Sequence, residues 1–237
     1  RQLAAEFNQA DHAIVDHYTY AFAGDGCLME GISHEVCSLA GTLGLGKLIV
    51  FYDDNRISID GEVSGWFTDD TAKRFQAYGW QVVADIDGHD FDAIRQAVIT
   101  AQSDQTRPTL ICCKTHIGFG SPNKVDSAAA HGAALGAEEV ALMRQALDWP
   151  HAAFDIPAEI YQAWDQRAQG QERESRWNTA FAAYESAYPQ QAAEFLRRMQ
   201  GYLPEDFTQK MQDFIQQQQQ TQQPAATRKS SLTCLNA

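Results

Sequence analysis

Basic residues are scarce in this chain: 18 Lys and Arg stand against 31 Asp and Glu, for a net charge of −13. With no basic cluster to track a phosphate backbone, nucleic acid is excluded as an expected partner. No apolar run approaches the ~18 residues needed to cross a bilayer, and Arg1–His12 lacks the apolar stretch of a secretory signal. No membrane partner is expected, and a cytoplasmic location is. Cysteine is sparse, with Cys27, Cys37, Cys112, Cys113 and Cys234 forming an odd set without CxxC spacing. Neither a zinc site nor a disulfide framework is indicated, and the thiols are expected to be reduced. What is present is apolar and aromatic: 12 Phe, 8 Tyr and 5 Trp in 237 residues are enough to build a substantial core and exclude global disorder.

From His17 to Cys113 short apolar runs alternate with helical stretches, the pattern of βαβ units. The expected fold class is α/β, an open parallel sheet with flanking helices. His17–Gly26 reads as a strand ending in a Gly-bounded turn. Leu28, Ile32, Val36, Leu39 and Leu43 then fall at helical spacing, closed by the glycines at 44 and 46. Lys47–Asp54 is apolar on both faces, as a central parallel strand is. A capped helix is expected over 68–79, a strand over 80–86, a helix over 91–102 and a strand over 108–115. The Gly-rich segment 116–136 has little periodicity and is too long for an idle loop. Beyond it the pattern is helical, and 215–231 is polar and Gln-rich, read as a linker.

The chemistry concentrates in Gly24-Asp25-Gly26, at the carboxyl end of the first strand, and Asn55, at the carboxyl end of the next. Ligands of open parallel sheets bind beyond the carboxyl ends of strands, so Asp25 and Asn55 could share one site. Mg²⁺ takes oxygen ligands in an octahedron, usually one or two from protein carboxylates or amides and the rest from phosphate and water. Two glycines let a diphosphate approach the backbone, and a following helix favours an anion. Gly-Asp-Gly is also an ordinary turn, so the residue types alone leave both readings open.

The run GDGCLMEGISHEVCSLAGTLGLGKLIVFYDDN, with ISIDG, WFTDDTAKRFQAYGW, DIDGHD, KTHIGFGSPNK and HGAALG after it, resembles the diphosphate-binding domain of the transketolase family, in its bacterial form. The likeness covers essentially the whole chain. It implies thiamine diphosphate and Mg²⁺ as cofactors, with Ca²⁺ or Mn²⁺ able to substitute, and two-carbon ketol transfer between sugar phosphates in the pentose phosphate pathway. It makes Asp25, the Asn55 side chain and the Ile57 carbonyl the metal ligands, with Gly24, Gly26 and Asn55 at the diphosphate. Arg56 stands where bacterial members often carry Gly. His131 matches a histidine that contacts both cofactor and donor sugar, although an isolated loop histidine is more often structural. An upstream family histidine is replaced by Ala128. Ile59 and Ile117 are similar to residues that pack on the thiazolium ring, against the default of plain core. Glu30 and Glu35, otherwise a solvated face, match acids near the interface of the family homodimer. His12, His17, His34, His89, His116 and His151 have no metal-binding spacing and receive no catalytic role.

Three segments are expected: a partial diphosphate- and Mg-binding α/β domain over 1–150, a helical extension over 151–214, and from 215 to 237 a Gln-rich linker and the start of a pyrimidine-binding domain. The first Met is Met29, and a fragment of a longer chain, inactive alone, is expected. The alternatives are a non-catalytic remnant or subunit needing a partner chain, and dihydroxyacetone synthase.

Overall fold

A computed structural model describes residues 1–221 and 224–236. In chain order the elements begin with α1 (Gln2–Phe7), β1 (Thr19–Gly24), α2 (Asp25–Met29), α3 (Gly31–Thr42) and β2 (Leu48–Asp54). A small hairpin follows, β3 (Ile57–Ser58) and β4 (Gly61–Glu62), then α4 (Thr71–Ala77), β5 (Gln81–Asp87), α5 (Phe91–Ser103) and β6 (Thr109–Lys114). The remaining elements are helices: α6 (Ala137–Ala146), α7 (Ala158–Trp164), α8 (Arg167–Ala187), α9 (Pro189–Met199), α10 (Phe207–Thr221) and α11 (Thr227–Leu235). They fall into two compact units, residues 16–165 and residues 1–15 with 166–237.

The first unit is the α/β one. Its strands run in the order β1-β2-β6-β5, all parallel, which confirms the expected α/β class. Side chains alternate between the two faces of the sheet with period two. Ile49, Ile111 and Cys113 face α5 and bury against Ala97 and Ala101, while Val50, Tyr52, Leu110 and Cys112 face Leu28, Ala40, Phe75 and Trp80. The Trp80 indole donates to the Cys37 carbonyl at 2.8 Å, tying β5 to α3. Gly41 is required where α3 crosses the turn before β5, since a Cβ there would lie 1.8 Å from the Tyr78 carbonyl oxygen. Asp70 and Asp90 cap α4 and α5 through their carboxylates, the first at the capped start expected over 68–79.

Parallel register brings the carboxyl ends of the strands level. Gly24 lies opposite Asp53, and Asp54 opposite Lys114. The expected helix over 28–43 is instead two helices, because Glu30 adopts an extended backbone (φ −61°, ψ 134°) that breaks the ladder between α2 and α3. Asp25 and Gly26 therefore start a helical turn instead of standing in a loop.

The second unit is all helical. Phe7, Ile14, Phe181, Tyr184, Ala192 and Phe195 form its core, so α1 packs with helices almost two hundred residues away in sequence. Phe7 meets Phe195 edge to face at 5.3 Å, a favoured aromatic geometry. Within the segment read as a Gln-rich linker, 215–221 continues α10, consistent with the good helix propensity of Gln. Gln222 and Gln223 of that segment, and Ala237, lie outside the described residues.

Candidate functional site

The tips of β1, β2 and β6 surround a cavity of about 630 Å³. Gly24, Asp25 and Gly26 border it from β1 and α2, and Asn55, Ile57 and Ile59 from the turn after β2. Ile117 and His131 border it from the long loop after β6. Residues more than a hundred positions apart in sequence are thus brought to one place by strand register. Glu30 and Glu35 do not line it; they lie exposed on the connection before α3 and on α3 itself.

Asp25 is the most constrained of these groups. It is only 3% exposed, and its carboxylate accepts the Tyr52 hydroxyl at 2.6 Å on Oδ1 and the Arg56 backbone N–H at 3.0 Å on Oδ2. Burial pushes the Asp25 carboxyl up from the usual carboxylate range; the Tyr52 hydrogen bond opposes this and the Asp54 charge adds to it. The Tyr52 phenol is raised in turn, by burial and then by Asp25. Each Asp25 oxygen keeps a lone pair beyond its single hydrogen bond.

Asn55 is held by two contacts, its Oδ1 accepting from the Ile57 N–H at 2.9 Å and its Nδ2 donating to Asp53 at 3.2 Å. These bonds turn the chain sharply after β2, and Arg56 between them takes a left-handed backbone, φ 60°. That conformation suits glycine and strains a side chain carrying a Cβ. The hydrogen bond from the Arg56 N–H to Asp25 depends on it.

The loop 116–136 is tied to itself. The buried Glu139 carboxylate accepts from the Ser121 hydroxyl, from the Asn123 N–H at 2.8 Å and from the Asn123 amide at 2.9 Å. These bonds hold its carboxyl below the usual range. Lys124 adds a 2.7 Å bond to the Leu135 carbonyl. The segment that sequence leaves without periodicity is therefore ordered by side-chain hydrogen bonds, and it presents Ile117 and His131 at the cavity.

Asp53, Ser58, Thr115 and His116 also line this cavity and were not singled out from sequence. Asp53 and Thr115 hydrogen-bond to each other across the tips of β2 and β6. His116 carries no distinguishing spacing, and its partner Asp126 is ten residues on; nothing in the pattern could have paired them. A second cavity, of about 700 Å³, shares Asp25 and is lined by Tyr52, Arg56, Lys73 and several aspartates. It mixes charges of both signs and contains none of the glycines. Burial pushes the Cys112 thiol up to about 12 and raises Cys113 as well, which disfavours the thiolate at both.

The donor set suits a hard cation bound with a diphosphate. A carboxylate, an amide oxygen and a backbone carbonyl are all-oxygen ligands of the kind Mg²⁺ takes. Among the described residues no three His, Cys, Asp or Glu side chains converge as a metal cluster. A Cβ built on Gly24 or Gly26 would meet no atom within 4 Å, so the backbone there is open to a ligand. Among the described residues no helix is long and apolar enough to cross a membrane.

Comparison with known proteins gives a consistent result. The family model for the transketolase thiamine diphosphate binding domain matches residues 1–204. Over all 237 residues the chain is 62% identical to transketolase 2 and 60% identical to transketolase 1 of Escherichia coli K12. It spans 36% of the length of each of these relatives. A crystal structure of Pichia stipitis transketolase in complex with sedoheptulose-7-phosphate matches at a TM-score of 0.80 and 43% identity, over 86% of this chain and 31% of that one. Transketolase from Leishmania mexicana matches at 0.81 and 38% identity, with the same coverage of 86% and 31%.

Proposed function

The chain belongs to the transketolase family, as its thiamine diphosphate-binding domain, and from that premise we propose that it anchors thiamine diphosphate through Mg²⁺ for two-carbon ketol transfer. The observation that carries this reading is the convergence of Asp25, Asn55, Ile57, the open Gly24 and Gly26, and His131 around one cavity. Asp25, the Asn55 side chain and the Ile57 carbonyl hold the cation, for which Ca²⁺ or Mn²⁺ could substitute. Gly24, Gly26 and Asn55 bound the space for the diphosphate. Ile59 and Ile117 give that space an apolar wall, against which a heteroaromatic ring can pack.

Thiamine diphosphate, when bound, supplies the electron sink that allows the carbon–carbon bond beside a ketose carbonyl to break. The chain's own residues bind and orient. Asp25 is fixed in orientation by Tyr52 and the Arg56 N–H. His131 holds or moves a proton at the sugar oxygen it meets, a task suited to imidazole. The substrates are sugar phosphates of the pentose phosphate pathway, and the setting is the cytoplasm. The working form is a homodimer, with Glu30 and Glu35 near its interface. Ile32, Val36 and Leu39, each at least half exposed on α3 beside Glu35, support this.

The test is ketol transfer by the natural polypeptide from a pentulose phosphate to ribose 5-phosphate, with and without Asp25→Ala. The substitution is expected to reduce transfer at least ~100-fold at fixed thiamine diphosphate, the scale on which metal ligation matters. Undiminished transfer by the variant would remove Asp25 from the site and the reading with it.

A further inference from the structure

The long loop brings a second imidazole to the same cavity, and this one is paired. His116 Nδ1 lies 3.0 and 2.9 Å from the two oxygens of Asp126. The backbone N–H of His116 donates to His89 Nε2 at 3.0 Å. His89 in turn stacks on Phe119 with ring centroids 4.0 Å apart, and on the His116 ring at 5.9 Å. Asp126 is itself placed by its N–H, which donates to the Ile117 carbonyl at 2.9 Å, and by a left-handed backbone, φ 54°. His116 is thus positioned at its backbone, its ring face and its Nδ1.

This arrangement has a chemical consequence. A carboxylate accepting from Nδ1 assigns the proton of the neutral ring to that nitrogen and leaves Nε2 as the ring nitrogen available to a ligand. No described residue bonds Nε2, the side chain is 59% exposed, and the residue borders the cavity shared by Asn55, Ile57 and His131. Holding a long polar loop so that a paired imidazole borders a cavity is what a ligand contact requires, because the ordering cost is met before the ligand arrives.

We propose that His116, oriented by Asp126, is a substrate-contacting residue that hydrogen-bonds a hydroxyl of the ketose donor through Nε2. This rests on the ketol-transfer reading above. A hydroxyl is favoured over a phosphate because Asp25, Asp53 and Asp126 surround this side of the site, and an imidazole paired with a carboxylate carries no net positive charge even when protonated. Asp126 acts through His116 and is a positioning residue.

The experiment is steady-state kinetics of the natural polypeptide with a ketose phosphate donor and with the unphosphorylated ketose of the same length, alongside calorimetric titration of thiamine diphosphate with Mg²⁺. His116→Ala is expected to raise the donor KM about tenfold, the worth of one good hydrogen bond, with kcat changed less than about threefold. The penalty should be the same for both donors, and cofactor affinity should stay within about twofold. Asp126→Asn should raise KM about threefold in the parent and have no further effect in the His116→Ala background, since the two act as one unit. An unchanged donor KM in His116→Ala, a penalty confined to the phosphorylated donor, or a parallel loss of cofactor affinity would each overturn the proposal. If the unsubstituted protein binds no thiamine diphosphate, the reading beneath it fails, and the proposal fails with it.

Discussion

The two units of this chain solve different problems. In residues 16–165 the core is spent on two faces of a parallel sheet, and the polar groups gather at the carboxyl ends of its strands, where Asp25, Asn55 and His131 border one cavity. In residues 1–15 and 166–237 the core is an aromatic cluster, and none of its residues lines that cavity. The first unit tolerates a buried carboxylate and a left-handed arginine, both costly to stability. The second carries ordinary helix packing with surface ion pairs. The buried Asp25 carboxylate and the left-handed Arg56 that bonds it thus sit together beside the candidate cavity.

The largest effect that could break this division is in the helical unit. Phe195→Ala removes a ring packed against Phe7 and Phe181 and should cost about 3–5 kcal/mol of stability in thermal or denaturant unfolding. Its cofactor affinity should be unchanged at temperatures where it remains folded; a parallel loss would show that the two units do not act separately. Next is Tyr52→Phe, which deletes the hydroxyl bonded to Asp25 and should weaken metal-dependent thiamine diphosphate binding about tenfold in calorimetry, the lower end for groups that orient a metal ligand. Smaller again is Arg56→Gly. Relief of the φ 60° backbone should stabilise the α/β unit by about 1 kcal/mol in denaturant unfolding, since glycine bears no Cβ penalty there.

The smallest effect sharpens the comparison through pH: the α/β unit holds both the raised Asp25 and lowered carboxyls such as Glu139, whereas the helical unit holds the lowered Glu194. Glu194 is lowered to about 2 by Arg197 and then Arg198. A lowered folded-state value means stabilisation that is present above the unfolded value of 4.5 and is lost as pH falls toward 2. Glu194→Gln should therefore lower the melting temperature slightly at pH 6 and by less at pH 2.5, the difference vanishing only below the folded value. Asp25 has the reverse sign: its folded value is raised, so its burial opposes folding when it is ionised and ceases to do so as pH falls.

Much of the α/β unit was legible in the sequence because its strands are continuous apolar runs between glycines and capping aspartates. Lys47–Asp54 and Pro108–Thr115 could be little else. The order β1-β2-β6-β5 was not legible, since periodicity says nothing about which neighbour a strand chooses. Nor were the break at Glu30, which depends on backbone angles, and the packing of Phe7 on Phe195, which depends on contacts remote in sequence. At the candidate site, Gly24, Asp25, Gly26 and Asn55 could be singled out because a glycine pair and polar residues at two strand tips form a local pattern, although only the family resemblance gave them roles. Tyr52 and His116 were not, because what distinguishes them is a partner brought near by register or by loop closure.

The most direct test of the central claim is calorimetric titration of thiamine diphosphate into the natural polypeptide, with Mg²⁺ and with the metal chelated, for the parent and for Asp25→Ala. Saturable binding that needs the metal and is weakened at least ~100-fold by the substitution is the predicted result. Binding of equal strength without metal, or undiminished in Asp25→Ala, would contradict the account.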